Sequence, residues 1–146
     1  MRKHAPTLKP YPGPPSCGSV LRPETRLWWE QAKRDFRVAS RTHASRDYDV
    51  AVFYCEQAVQ KALKAVLLHR TARPPPKIHN LVTLGKMVGV GGQMIEFLAA
   101  LAPQYMRTRY PDAAGQVTTA LFDGRISLSF LRGTKKVMTG CRNRLR

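Results

Sequence analysis

Phosphate chemistry is what this sequence is best equipped for, and arginine with histidine would carry it. Arginine grips a phosphate through its forked guanidinium, and histidine moves a proton near neutral pH. Arg37 stands six residues before His43, and Arg73 six before His79. Together the two residue types can serve metal-free phosphodiester cleavage, one holding the phosphate and the other moving the proton. In a chain with 25 Lys and Arg and four His, this spacing also arises by chance, and Pro74, Pro75 and Pro76 interrupt the second pair. Arg107, Arg109 and Tyr110 form a denser cluster. There the arginines suit a phosphate and the tyrosine a stacked base. Arg132, Lys135, Lys136, Arg142, Arg144 and Arg146 follow without an intervening acid, as a segment that tracks a nucleic-acid backbone by counterion release would. Lys61 and Lys64 have two roles open to them. Either one faces a ligand phosphate, or they pair with Asp35 across two helices, where an Asp35–Lys61 bridge would fix register more than add stability. His79 likewise either touches a ligand or holds its own loop.

Other chemistries lack their residues. Nine scattered acids give no E-x-x-H or H-E-x-x-H spacing for a metal. Cys17, Cys55 and Cys141 are odd in number and have no C-x-x-C spacing, so neither a zinc site nor a disulfide framework is expected. Cys55, inside an apolar run, reads as a buried small hydrophobe. Gly89-Val90-Gly91-Gly92 lacks the Lys and Ser or Thr of a phosphate loop and reads as a turn. Tyr110 and Asp112 have no nucleophile beside them. No cofactor is expected.

The formal net charge is +16, which favours an anionic partner: nucleic acid, an anionic membrane or an acidic protein. An apolar share of 43% in 146 residues supports one domain with one core. No run approaches the roughly 18 apolar residues of a membrane span, and residues 1–22 have no signal-peptide apolar region. No membrane role and a cytoplasmic location are therefore the expectation.

Residues 1–23, with six prolines and the cations Arg2, Lys3, Lys9 and Arg22, read as a disordered basic arm, leaving 24–146 as the domain. A helix is expected from about Glu24 to Thr42, with Trp29, Ala32, Phe36 and Ala39 on one face. Ser45-Arg46-Asp47 offers a cap for a second helix, about Tyr48 to His69. Its small-residue seam of Ala51, Cys55, Ala58, Ala62 and Ala65 lies beside a second row of Val52, Val59, Leu63 and Val66. Only Glu56, Gln57, Gln60, Lys61 and Lys64 form a polar stripe, so this helix belongs at the centre of a bundle. A short third helix should carry Leu81, Leu84 and Met87. A fourth should span about 93–107 with Ile95, Leu98 and Leu101 inward and Pro103 as a kink or break. A surface loop from Tyr110 should lead to a last helix, about 123–137 or beyond, with Ile126, Phe130 and Val137 on one side. Gly124 and Gly133 should weaken it. The fold class expected is all-α, an up-and-down bundle of four to five helices.

Four blocks carry a resemblance. Tyr48-x-x-Ala51-x-Phe53, continuing as Gln57-Ala58-Val59-Gln60-Lys61-Ala62-Leu63-Lys64-Ala65, resembles the HEPN domain family. So do Trp29-x-x-Ala32-x-x-Asp35-Phe36-x-x-Ala39, Ile78-His79-Asn80-Leu81 and Arg109-Tyr110-Pro111-Asp112. They stand in family order across about residues 26–138. Gln60 departs from the family's usual Glu. The resemblance implies a helical bundle that commonly forms a homodimer. It further implies pairing with a minimal nucleotidyltransferase in a toxin–antitoxin-like system. Some members bind nucleotides and others are metal-independent ribonucleases. The ribonuclease branch places R-x(4–6)-H late in the bundle. Arg142-Asn143 resembles its first half, but no histidine follows His79. The expectation is therefore a non-catalytic subunit that binds nucleotide or RNA, with Lys64, His79, Arg107, Arg109, Tyr110 and Arg142 as the candidate binding residues. The alternatives are an RNA-cleaving toxin using a pair such as Arg37 and His43, or a plain protein-interaction module.

Overall fold

The structure, a computed structural model, describes residues 21–146. The expected arm, as far as residue 20, and Cys17 lie outside the described residues. Helix α1 runs Pro23–Ala44. Pro23 sits where a missing N–H costs nothing, and Glu24 stands at the positive end of the helix dipole. Its inward face is Thr25, Trp29, Ala32, Asp35 and Ala39. Just before it, the Arg22 guanidinium donates to the carbonyls of Leu68 at 2.7 Å and His69 at 2.9 Å, satisfying the open C-terminal end of the next helix.

Helix α2 spans Tyr48–Thr71. Arg46 takes the left-handed conformation, with φ 66°, and this tightens the reversal out of α1. Asp47 holds the N-cap position without capping, because its carboxylate accepts from Ser45 Oγ at 3.2 Å instead. The small-residue seam and the Val/Leu row beside it are fully buried, between α1 and the last helix. The alanine faces are thus filled within one chain. Most of the polar stripe is covered as well: Glu56 is 2% exposed, Lys64 4%, and Gln60 is buried, while Gln57 and Lys61 are half-buried.

Helix α3, Leu81–Val88, starts at Asn80, whose side chain accepts the Thr83 N–H at 3.0 Å, and ends at left-handed Gly89. Leu81 and Leu84 point inward as expected, whereas Met87 is 48% exposed. Eight residues present two turns of inner face, and Leu81, Leu84 and Val88 fill it.

The single helix expected over 93–107 is two, α4 at Gly92–Leu101 and α5 at Gln104–Arg107. Pro103 between them lacks an N–H and ends the hydrogen-bond ladder. In place of the surface loop, Pro111–Ala114 makes a single turn, α6, followed by a 3-10 turn at Thr118–Ala120.

Helix α7 runs Gly124–Arg144, and the Asp123 carboxylate accepts the Ile126 N–H at 2.8 Å. Its inner face is Ser127, Leu131, Thr134, Val137, Met138 and Cys141. Of the expected inner row, Val137 is buried and Phe130 packs partly buried against the core, but Ile126 is 37% exposed. One residue of phase turns a helix face by about 100°. The small polar residues Ser127 and Thr134, not the larger apolar neighbours, take the closest approach. Gly133 has its own reason: a Cβ there would collide with the Phe97 ring, so α4 docks on α7 through the missing methyl.

Among the described residues the fold is all-helical, with five helices of eight residues or more, and no helix is long and apolar enough to cross a membrane. Burial pushes the Cys55 and Cys141 thiols up to about 12, which makes them packing groups and not nucleophiles.

Candidate functional site

Where α5 meets the middle of α2, a cleft of about 340 Å³ opens, in the size range of small-molecule sites. Glu56, Gln57 and Gln60 form its α2 wall. His79 enters from the loop before α3, and Ala102, Tyr105 and Met106 enter from the α4–α5 junction. Tyr105 stands on α5, which packs against α2 just after the break at Pro103. Phe53 ends the same wall, its ring centroid 5.9 Å from that of Tyr105.

Hydrogen bonding fixes the cleft floor. Glu56 Oε2 accepts from Gln57 Nε2 at 2.8 Å, and Oε1 accepts from Gln60 Nε2 at 3.2 Å. A carboxylate only accepts, so Gln60 must turn its NH₂ toward it and its Oε1 outward. Oε1 lies 3.2 Å from His79 Nδ1, and that nitrogen must therefore carry a proton. Gln60 also donates to the His79 carbonyl at 3.4 Å. The His79 loop is thus tied to Glu56 through one amide. Burial pushes the Glu56 carboxyl up to about 6, against the pull of Gln57, Gln60, Lys61 and Lys64.

The expected site residues divide into separate groups. His79 lines the cleft. Arg109 lies beside it, its guanidinium carbon 4.6 Å above the Phe53 ring, at a second hollow formed with Val50, Tyr54 and Thr108. Arg107 and Tyr110 are exposed on the same short stretch. Lys64 does not line the cleft. It is buried with its ammonium 5.7 Å from the Trp28 ring, and burial lowers its pKa. The structural pair is formed: Lys61 Nζ donates to Asp35 Oδ2, while Gln31 donates to Oδ1 at 2.9 Å and Arg34 stands 3.7 Å away. Arg142 is exposed near the end of α7, away from the cleft lining. Arg125, Arg132 and Lys136 instead line a shallow groove on the outward side of that helix. Their spacing of seven and four residues stacks them on one face.

Glu56, Tyr105 and Phe53 were not singled out by sequence reasoning. The signal was five polar residues on an otherwise apolar helix, and it does not say what packs over each: Glu56 meets α5, whereas Lys61 and Lys64 reach Asp35 and Trp28 of α1. The pair Arg37 and His43 is not assembled within this chain. Six residues along α1 separate the side chains by about 120° around the axis. His43 Nδ1 instead bonds buried Ser127 Oγ at 2.9 Å. Among the described residues no group of three metal-ligating side chains is assembled.

The family model for the HEPN domain matches residues 25–141. Among solved structures, TT1696 from Thermus thermophilus superposes with a TM-score of 0.78 at 26% identity, covering 85% of this chain and 100% of that one. ST0689, an archaeal HEPN homologue, superposes with a TM-score of 0.70 at 19% identity, covering 84% and 98%. No curated protein matches.

Proposed function

The chain belongs to the HEPN domain family, and from that premise we propose that it is a non-catalytic subunit that binds nucleotide or RNA and acts with a separate minimal nucleotidyltransferase in a toxin–antitoxin-like pair. The observation that carries the binding reading is the rim of the cleft. There Arg109 stacks on Phe53, Phe53 meets Tyr105, and Tyr105 walls a cavity suited to a flat ring. An aromatic surface with a guanidinium beside it is how unpaired bases and their phosphates are held. The charge supports it. Among the described residues only Lys33, Arg34 and Lys61 are engaged in ion pairs, and of the lysines and arginines there only Lys64 is buried.

Two measurements test this. Single-stranded RNA binding should weaken steeply between about 50 and 200 mM salt, by tenfold or more for several phosphate contacts, and Arg109→Ala should reduce it. Co-expression with a minimal nucleotidyltransferase of the same genome should yield a complex. Salt-insensitive or absent RNA binding, with no complex, would leave a plain interaction module. RNA cleavage in chelator that disappears in His43→Ala would instead establish the ribonuclease reading.

A further inference from the structure

We propose that the cleft between α2 and α5 reads guanine, with the Glu56 carboxylate accepting the two neighbouring donors on the Watson–Crick edge of the base. This rests on the nucleotide-binding reading above and adds which base is taken and by which residue.

The lining is the first ground. In a chain of net charge +16, no lysine or arginine is among the residues that line this cleft, so its floor is not built for phosphate. It presents a carboxylate, which recognises hydrogen-bond donors, and amides, which both donate and accept. Glu56 is 2% exposed, and a desolvated carboxylate is costly unless donors surround it. Gln57 and Gln60 supply one donor each, one per oxygen. A carboxylate has about four acceptor sites, so one on each oxygen stays open.

Base chemistry is the second ground. Guanine presents a ring N–H beside an exocyclic NH₂, two donors side by side. Adenine and cytosine place a ring acceptor next to their amino group, which sets a lone pair against one carboxylate oxygen. Uracil offers a single donor between two carbonyls. An ionised carboxylate therefore selects guanine. The amide NH₂ groups of Gln57 and Gln60, one on each oxygen, favour the accepting form of Glu56. The walls suit the faces of a ring: Tyr105 is 41% exposed and Met106 stands beside it.

Charge is the third ground. An arginine side chain would also satisfy a carboxylate, but a surface this basic repels arginine-rich partners and draws in nucleotides. Arg109, one aromatic ring beyond Tyr105, is placed for the phosphate of a base seated in the cleft.

The test is calorimetric titration of the full chain with GMP, AMP, CMP and UMP at about pH 8, where Glu56 is ionised. GMP should bind tighter than the others by tenfold or more, the scale of one bidentate base contact. Glu56→Gln removes a buried charge without changing shape, and circular dichroism would verify its fold. It should abolish the preference for GMP while leaving weak binding of all four. Tyr105→Ala should weaken all four alike. Equal affinity for the four nucleotides, or a GMP preference that survives Glu56→Gln, overturns the guanine assignment. If salt-dependent RNA binding persists in that case, the nucleotide or RNA reading stands without it. Failure to bind any of the four nucleotides or RNA overturns both.

Discussion

Replacing Glu56 with glutamine should stabilise the folded protein near neutral pH and do much less in mild acid. Burial raises this carboxyl from 4.5 to about 6, outweighing the opposite pull of the Gln57 and Gln60 amides and of Lys61 and Lys64. A group whose folded pKa exceeds its unfolded one favours the fold when protonated. That contribution is fully present below about pH 4.5 and is lost as pH rises through about 6. A gap of roughly 1.5 units corresponds to about 2 kcal/mol of stability forgone at neutral pH, at about 1.4 kcal/mol per unit. Glutamine keeps the shape and some of the hydrogen bonding and has no charge to bury. The gain from Glu56→Gln should therefore grow by about 1–2 kcal/mol between about pH 5 and pH 7.5. The assay is urea denaturation of both proteins across that window, read as the difference between them so that other titrating groups cancel. A difference that is flat with pH would refute the buried-carboxylate account, and one that shrinks toward neutral pH would mean Glu56 is stabilised as an anion.

The remaining predictions concern packing around the site. Lys61→Met leaves buried Asp35 with only Gln31 and the more distant Arg34, and should cost about 1–3 kcal/mol by denaturant unfolding; Asp35→Asn in the same chain should restore much of it. Gly133→Ala gains about 1 kcal/mol of helix propensity but drives a methyl into the Phe97 ring, so it should destabilise the protein, and the sign should reverse in a Phe97→Ala background. Lys64→Met should leave stability within about 1 kcal/mol and nucleotide affinity unchanged, because this lysine packs on Trp28 and does not line the cleft; a clear loss of affinity would place it at the ligand after all.

Much of the scaffold can be read along the chain because helix periodicity is a local property. Ala51, Cys55, Ala58, Ala62 and Ala65 recur at helical spacing and all prove buried, and Asn80 caps α3 from three residues away. Such features need only neighbours within a few turns. The phase of α7 was misjudged because its inner face is set by Ser127 and Thr134. These residues do not announce burial, and only close approach of other helices makes them inward-facing. Met87 was misplaced for the same reason, on a helix too short for periodicity to decide.

The site divides along the same line. By itself the sequence determined the helical class, the central place of α2, the basic surface, and His79, Arg109 and the Asp35–Lys61 pair as residues of interest. Composition and local spacing are sufficient for the class, the helix and the surface, while His79 drew attention through the resemblance to the family. Only the tertiary structure decided that Glu56 lies inside a cleft, that Gln60 ties it to His79, and that Tyr105 and Phe53 form an aromatic rim beside Arg109. The residues concerned are up to about fifty positions apart. Their meeting depends on how α5 packs onto α2, and a carboxylate changes from solvated to buried according to what lands on it.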